Sequence, residues 1–470
     1  MITAFKLYLQ LEKLFGGVSF VTKSYHVRTI LTIFTLGAFI TILNQTLLFT
    51  AFPDIMKTFS ISGNTVQWLT TAYMLVNGVC IPVTAYLIGR FNTRQLTLFA
   101  LGTFSLGTLL SAISPAFSLL LISRLIQAIG AGIIIPLMQV VMFTIVAKEK
   151  HGTVMGIISL TTGFAPLIGP TVAGFIISHL SWRYLFWLVL PIGIGLTIAT
   201  FFCMQNVGTV NKRQRLDYSS VTYSTLGFGS LLYGTGSLNS NIKLGILFII
   251  IGFLFIVIFI HREAQLKKPM LDFSIFKNRQ FSISLVLVVL SFIILIGPQA
   301  IVPTLIQSAM HHSALTSAFV LLPGAIASGL TSLVAGHLYD RIGAKILGLV
   351  GSLTVAISMI PFLFLNIHSS LIMMAICLIF KMIGNALVLT PLTTEALNVL
   401  PNPLLKHGTA MVNTLRQVGG SIGTGILVAI QTFYSTRSPF IGARAFFMGI
   451  VLISILRFLL ILMLKQTKHA

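Results

Sequence analysis

Long apolar runs recur along the whole chain, and they constrain its fold more than any other feature. The stretch ILTIFTLGAFITIL (30–43) is the first of many. A helix of about 20 apolar residues spans the ~30 Å hydrocarbon layer of a bilayer and satisfies its own backbone hydrogen bonds there. With 56% hydrophobic and 8% charged residues, the chain has too many apolar side chains for a water-soluble core. Membrane barrels instead show short alternating segments, so we predict an all-α membrane protein.

We predict fourteen transmembrane helices from these runs. A six-helix bundle covers 29–206, a linker over 207–279 holds two further helices and a loop, and a second six-helix bundle covers 280–464. Residues 1–28 lack the long apolar centre and the small-residue cleavage site of a signal peptide. We therefore predict that they form a cytoplasmic extension, and that residues 465–470 form a short cytoplasmic tail.

Two short motifs occur once in each predicted bundle. KHGTVM (150–155) matches KHGTAM (406–411), and GRFNTRQL (89–96) matches DRIGAKIL (340–347). Internal repeats of this kind indicate a fold built by duplication, in which the binding site lies where the two copies meet.

The positive charge of the chain indicates its orientation rather than a nucleic-acid partner. The net charge is +22, but the basic residues lie in short clusters between apolar runs and not on one face. Most of them fall in loops on the same side of the membrane as the N-terminus. The positive-inside rule then predicts that both termini are cytoplasmic.

Several kinds of chemistry find no support in the sequence. There is no GxxxxGK[ST] loop for ATP, the histidines lack metal-ligand spacing, and no Ser/His/Asp set can be placed at one depth. The three cysteines are isolated in apolar runs and are interpreted as small core residues. We predict a protein that is not an enzyme and that needs no cofactor or metal.

Charged residues inside the apolar runs are the first candidates for function. Arg124, Lys381 and Arg416 lie within predicted spans, where an ion costs at least ~2.5 kcal/mol unless it faces a partner or a wet cavity. The alternative is that each reaches toward the headgroups. Arg457, near the end of the last span, is interpreted as such an anchor.

Two acids touch the predicted spans. Glu395 lies within the twelfth span, where loss of solvation favours the proton-binding form of a carboxyl group. We predict that it is a titrating group, with a plain structural contact as the alternative. Asp54 follows Pro53 at the outer end of the first span and is the second candidate.

The segment GFAPLIGPTVAGF (163–175) combines small residues with helix-bending ones. Gly163, Gly169 and Gly174 permit close approach of a neighbouring helix, and Pro166 and Pro170 remove backbone hydrogen bonds. Such a helix suits a moving interface, although simple close packing would use the same residues.

Taken together, these motifs resemble a known transporter family over nearly the whole chain from about residue 29. Six segments resemble family signatures in matching order: ILNQTLLFTAFPDI, LIGRFNTRQL, LISRLIQAIGAGIIIP, GFAPLIGPTVAGF, SWRYLFWLVLP and HGTAMVNTLRQVGGSIGT. The chain is similar to the fourteen-helix drug:proton antiporters of the major facilitator superfamily, and within them to multidrug exporters of the lincomycin-resistance type. The resemblance implies a multi-pass protein of the bacterial cell membrane.

The resemblance also implies roles for particular residues. Arg124 would take part in proton coupling, and the segment 163–175 would line the interface between the halves. Arg90, Arg94, Asp340 and Arg341 would lie in loops that latch the cytoplasmic side. The chain departs from the family pattern at Asn44, where many members have an aspartate, and at Gly89, where the common loop motif has an acid that this chain keeps only at Asp340.

The sequence thus predicts a monomeric, proton-coupled exporter of amphipathic drugs that works by alternating access of two six-helix bundles. Polar groups predicted for its cavity are Asn44, Gln45, Tyr73, Asn77, Gln127, Gln139, Asn413 and Arg416. One alternative is proton-coupled transport of a metabolite, peptide or lipid. Another is a membrane sensor or scaffold that keeps the fold without turnover.

Overall fold

Long α-helices account for almost all of the computed structural model, which describes residues 27–207, 217–237, 242–266, 269–436 and 438–465. The predictions for the extension up to residue 26 and for the tail from residue 466 lie outside these residues. The described part holds thirteen long helices and no strand. They are α1 (Val27–Phe59), α2 (Gly63–Arg90), α3 (Thr93–Ala112), α4 (Phe117–Ile145), α5 (His151–His179), α6 (Tyr184–Cys203), α7 (Tyr218–Ser237), α8 (Ile242–Gln265), α9 (Arg279–Thr304), α10 (Ala314–Met359), α11 (Leu371–Asn398), α12 (Asn402–Ser435) and α13 (Pro439–Leu462). The prediction of an all-helical protein is confirmed.

Helix α10 is two helices that meet at Gly343. This residue has φ 76° and ψ 176°, a backbone conformation that a residue with a Cβ atom rarely adopts.

Among the described residues, ten helical stretches are long and apolar enough to cross a membrane, and one of them, Thr316–Phe364, runs through this break. Helices α5, α7 and α12 are not in that set. The count of fourteen spans therefore stays a prediction.

Polar residues between the apolar runs fix where several helices begin. The side chains of Ser62, Ser313 and Ser370 each accept a hydrogen bond from a backbone N–H in the first turn of α2, α10 and α11, respectively. Such caps satisfy donors that the first turn leaves without an intrahelical partner. The boundaries of these helices thus follow from local sequence.

The helices form two groups joined by an additional pair. Helices α1–α6, the first half, pack on one another, as do α9–α13, the second half. The halves meet where α5 packs on α10 and α11, and where α12 packs on α2 and α4. Helices α7 and α8, the inserted pair, pack on each other, and α7 also contacts α2 and α12. The inserted pair therefore lies against both halves.

An ion pair ties the inserted pair together at one end. Arg262 donates from Nε and Nη2 to the two carboxylate oxygens of Asp217, at 2.6 and 2.9 Å. This guanidinium, together with the hydroxyl and backbone N–H of Ser220, holds the pKa of the Asp217 carboxyl well below its usual range. Among the described residues, Arg262 and Asp217 form the one ion pair with a measured N–O distance, 2.6 Å.

The backbones of α5 and α10 approach each other closely at glycines where the two halves meet. A Cβ atom placed on Gly336 would lie 2.2 Å from the carbonyl oxygen of Gly152, and one on Gly156 would lie 2.8 Å from that of Ser332. Only glycine fits at such a crossing. We call this end of the molecule the Asp340 end, and the opposite end, near Lys57, the Lys57 end.

Candidate functional site

A small cavity of about 110 Å³ lies between the two halves. Its walls come from α1, α2 and α4 of the first half and from α12 of the second. The lining residues are Gln45, Met74, Asn77, Ile81, Ala131, Gly132, Ile135, Pro136, Asn413, Arg416 and Gln417. Amide side chains and one guanidinium thus face apolar walls, and no carboxylate belongs to the lining that the described residues form.

Gly132 lets the α4 backbone approach α2 beside this cavity. A Cβ atom at Gly132 would lie 2.7 Å from the Cβ atom of Cys80 and 3.0 Å from the carbonyl oxygen of Asn77. The two helices are therefore too close for a larger residue at this position. The cavity wall here is made of backbone and small side chains.

A hydrogen-bonded chain crosses between the halves next to the cavity. Asn413 Nδ2 donates to Gln139 Oε1 at 2.7 Å, and Arg416 Nη2 donates to Asn413 Oδ1 at 3.0 Å. Gln139 belongs to α4, whereas Asn413 and Arg416 belong to α12. Because Gln139 and Asn413 are both buried, this link between the halves is shielded from water and correspondingly strong.

Arg124 is fully buried in the first half, beside the cavity but not in its lining. Its guanidinium carbon lies 4.3 Å from the ring centroid of Tyr73, and its Nη1 donates to Gln127 Oε1 at 2.6 Å. Gln127 Nε2 in turn donates to Thr108 at 2.9 Å. Tyr73 lies one helical turn before Asn77 in α2, and Asn77 does line the cavity. Arg124 therefore packs on a ring of α2, the helix that also supplies Asn77 to the cavity lining.

The predicted cavity residues separate into two sets. Gln45, Asn77, Asn413 and Arg416 line the cavity, whereas Tyr73, Gln127 and Gln139 lie behind it and hold its lining or Arg124 in place. Asn44 is buried, and its Nδ2 has no hydrogen-bond partner in the described part of the chain. Gln417 also lines the cavity and is absent from the predicted set, although it follows Arg416 directly and carries a polar group in the same span.

At the Asp340 end, the Asp340 carboxylate of α10 binds the N-terminus of α5. The backbone N–H groups of Gly152 and Thr153 donate to its two oxygens at 2.8 Å each, and the Thr153 hydroxyl donates as well. An N-terminal helix end carries unpaired N–H groups and a partial positive charge, so a carboxylate is well placed there. This contact, which we call the latch, joins the two halves.

A second buried network lies beside the latch and contains Glu395. Gln280 Nε2 donates to Glu395 Oε1 at 3.0 Å, and the Tyr339 hydroxyl donates to Glu395 Oε2 at 2.8 Å. Asn398 Nδ2 donates to the Tyr339 hydroxyl at 3.0 Å, and Asn398 Oδ1 is hydrogen-bonded to His151 of α5. Glu395 thus belongs to a network that reaches the first half, and it does not line the cavity.

The three arginines predicted for the latch differ from Asp340. The guanidinium of Arg94 donates to the carbonyl oxygen of Phe201 and lies 5.2 Å from that ring's centroid, so it contacts α6 of its own half. Arg341 is exposed and Arg90 is half-buried. Among these four residues, Asp340 is the one with a measured hydrogen bond across the halves.

The glycines of the 163–175 segment also differ from one another. A Cβ atom on Gly169 would lie 2.2 Å from Thr46 Oγ1 of α1, whereas no described atom lies within 4 Å of a Cβ atom on Gly163 or Gly174. Close helix packing within this segment is therefore observed at Gly169. Pro166 is exposed, and the side chain of Pro170 lies outside the described residues.

Asp54 is half-buried at the Lys57 end, and its backbone carbonyl oxygen accepts a hydrogen bond from the Thr58 hydroxyl.

Arg457 lies in the core of the second half and not at its surface, so its interpretation as an anchor is wrong. It is fully buried and donates to Ser352, Ser291 and Asn385 at 3.0, 3.1 and 2.9 Å. These partners lie on three different helices, which fixes the guanidinium in the core of the second half. Lys381 is also fully buried, and its Nζ donates to the Leu295 carbonyl oxygen at 3.3 Å.

The profile of the Major Facilitator Superfamily matches residues 34–424 of the chain. The chain belongs to the major facilitator superfamily. It is 40% identical to the MFS-type transporter YcnB of Bacillus subtilis over 95% of this chain and 97% of that protein. It is 35% identical to the lincomycin resistance protein LmrB of Listeria innocua, over 86% of each chain. This chain is accordingly a multi-pass membrane transporter and not an enzyme.

Solved structures of the superfamily share the fold at low sequence identity. The human organic anion transporter MFSD10 has a TM-score of 0.67 and 15% identity over 92% of this chain and 99% of that one. The proton:xylose symporter XylE has a TM-score of 0.65 and 14% identity over 94% and 96% of the two chains. At this identity the likeness shows the helical architecture alone.

Proposed function

We propose that this transporter exports amphipathic drugs in exchange for protons by alternating access. The observation that carries the proposal is a polar cavity between the halves together with the latch, which closes the halves at the Asp340 end. Alternating access needs such a contact to form and break while the binding site stays between the halves. Similarity to lincomycin resistance proteins supports drugs as the substrates.

The arrangement in the membrane is part of the same proposal. Fourteen spans place both termini and the Asp340 end in the cytoplasm, and α10 then supplies two spans joined at Gly343. Residues 29–206 and 280–464 act as the two moving bundles, and the inserted pair packs against both. The protein acts as a monomer, since each chain holds a complete cavity between its own halves.

Proton coupling is assigned to three residues. Glu395 binds and releases the proton, because its carboxylate lies in the network that links α11 to His151 beside the latch. A proton on Glu395 Oε2 would turn that oxygen from an acceptor into a donor, which would weaken the hydrogen bond that it accepts from the Tyr339 hydroxyl. Arg124 takes part in the coupling from the first half, where it packs on Tyr73, and Asp54 serves the Lys57 end. The segment 163–175, with Gly163, Pro166, Gly169, Pro170 and Gly174, allows α5 to move against α1.

Everted membrane vesicles test this function. Norfloxacin, lincomycin and ethidium are added to energised vesicles, and the pH gradient is followed with a fluorescent weak base. We expect at least one drug to accumulate and to dissipate the gradient, and we expect Glu395→Gln to abolish the proton flux. Asp54→Asn and Arg124→Ala are measured in the same way, and normal transport by all three variants would refute the assigned coupling residues. If no drug moves, or if drugs move without proton flux, export by exchange is refuted.

A further inference from the structure

The central cavity has the wrong charge for cationic ligands. Among the described residues, its lining carries one cation, Arg416, four amides and no acid. Arg124 adds a second positive charge on the first-half side, where its guanidinium packs on the ring of Tyr73, the residue before the lining residue Met74. In surroundings of low dielectric constant, these charges repel an ammonium group and attract an anion.

Arg416 has hydrogen-bonding capacity that the protein leaves unused. Its Nη2 donates to Asn413 Oδ1 at 3.0 Å, but its Nε–H is buried and has no partner among the described residues. A buried donor without an acceptor is costly, and a ligand oxygen at this position would remove that cost.

The position of Arg416 is fixed before any ligand binds. Its guanidinium carbon lies 5.1 Å from the ring centroid of Phe292 on α9, and Asn413 holds one edge of the group. A planar guanidinium held in this way binds a carboxylate through paired N–H groups, with little entropy lost on binding. The amides of Gln45, Asn77 and Gln417 supply further donors around the same space.

Apolar walls surround this polar centre. Met74, Ile81 and Ile135 face the cavity together with the small residues Ala131 and Gly132. Pockets of this kind hold the apolar body of a ligand, while a few fixed polar groups set its orientation. A ligand that matches this lining therefore has one anionic group and an apolar body, and a ligand larger than the cavity of about 110 Å³ requires the halves to separate as it binds.

We propose that the cavity binds amphipathic carboxylic acids as anions, with the carboxylate on Arg416, in preference to amines of the same shape. This inference rests on the proposed function in taking the cavity as the substrate site, and it narrows the substrates to organic acids and to zwitterions that present a carboxylate.

Binding to the purified full-length transporter in an uncharged detergent tests the proposal separately from transport. Calorimetric titrations use three probes of matched shape: 1-naphthaleneacetate, 1-naphthaleneacetamide and 1-naphthylmethylammonium. We expect the carboxylate to bind at least about 10-fold more tightly than the amide, as is typical of a charge-assisted hydrogen bond, and the ammonium to bind most weakly. Arg416→Gln should abolish the preference without changing the melting temperature by more than a few degrees.

A matched variant and an inorganic anion serve as controls. Arg279→Gln removes an exposed arginine at the start of α9 and should leave all three affinities unchanged. Equal affinities for the three probes in the wild type, or a preference that survives Arg416→Gln, would overturn the proposal. Binding of sodium chloride alone with the same dependence on Arg416 would also overturn it, because the occupant would then be an inorganic anion. Failure of drug export with the preference intact would refute the proposed function and not this inference.

Discussion

Replacing Gly336 by alanine should open the Asp340 end of the transporter. The added Cβ atom would lie 2.2 Å from the Gly152 carbonyl oxygen, 2.9 Å from the Gly156 Cα atom and 3.0 Å from the Gly152 carbonyl carbon. All three neighbours are backbone atoms, so no side-chain rotation can relieve the overlap. Normal contact would require α5 and α10 to move about 1 Å apart.

The size of the effect follows from the geometry. Overpacking of this kind costs about 1–3 kcal/mol, which corresponds to a roughly 5- to 150-fold loss of the closed state relative to the open one. The latch hydrogen bonds, now at 2.8 Å, would lengthen at the same time. Because the open state does not contain this contact, the whole cost falls on closure.

Distances between spin labels measure the shift. Labels are placed at Lys148 and Ile342, both exposed near the Asp340 end, in a variant that lacks the native cysteines. We expect the wild type to give mainly a short distance and Gly336→Ala to give mainly a longer one. Gly102→Ala is the control, since no described atom lies within 4 Å of its added Cβ atom. Identical distance distributions for Gly336→Ala and the wild type would refute the reasoning.

Three further predictions concern charged residues outside the cavity. Asp340→Asn removes the charge that binds the α5 N-terminus, so it should destabilise the closed state by about 1–2 kcal/mol. The same spin-label experiment measures this change. Glu149→Gln, on the neighbouring exposed turn, is the control and should have no effect. The lowered pKa of Asp217 means that its pairing with Arg262 stabilises the fold fully above about pH 4 and is lost as the pH falls further. Thermal unfolding in detergent should therefore show the wild type losing its advantage over Asp217→Asn below about pH 4, and a constant difference at all pH values would contradict this. Arg457→Leu leaves three buried partners without a donor and should lower the free energy of unfolding by at least about 2 kcal/mol in denaturant titrations, whereas an anchor at the membrane surface would show almost no change.

The helical architecture could be predicted because apolar runs and polar caps are local features. Ser62, Ser313 and Ser370 each cap a helix through a backbone N–H only three residues further on. The break in α10 was predicted only as a loop near residue 340, since the left-handed conformation of Gly343 depends on how the two helices are held by their neighbours.

The contacts of the candidate site were only partly predictable. The repeats drew attention both to Asp340 and to the KHGT segment at 150–153, but a repeat does not show that one copy of one motif binds one copy of the other. Arg457 was misinterpreted because its partners, Ser291, Ser352 and Asn385, lie far away in the sequence on three helices. The sequence shows Glu395 as a rare acid within a span, but its place beside the latch depends on Tyr339, Gln280 and the packing of three helices.

Drug-dependent proton flux through the purified protein tests the central claim most directly. The transporter is reconstituted in liposomes with an acidic lumen, norfloxacin is added outside, and the luminal pH is followed with a trapped indicator. Coupled exchange predicts a saturable, norfloxacin-dependent rise in luminal pH that accompanies drug accumulation and is lost in Glu395→Gln. Drug accumulation with an unchanged luminal pH, or the same proton flux in Glu395→Gln as in the wild type, would contradict the account.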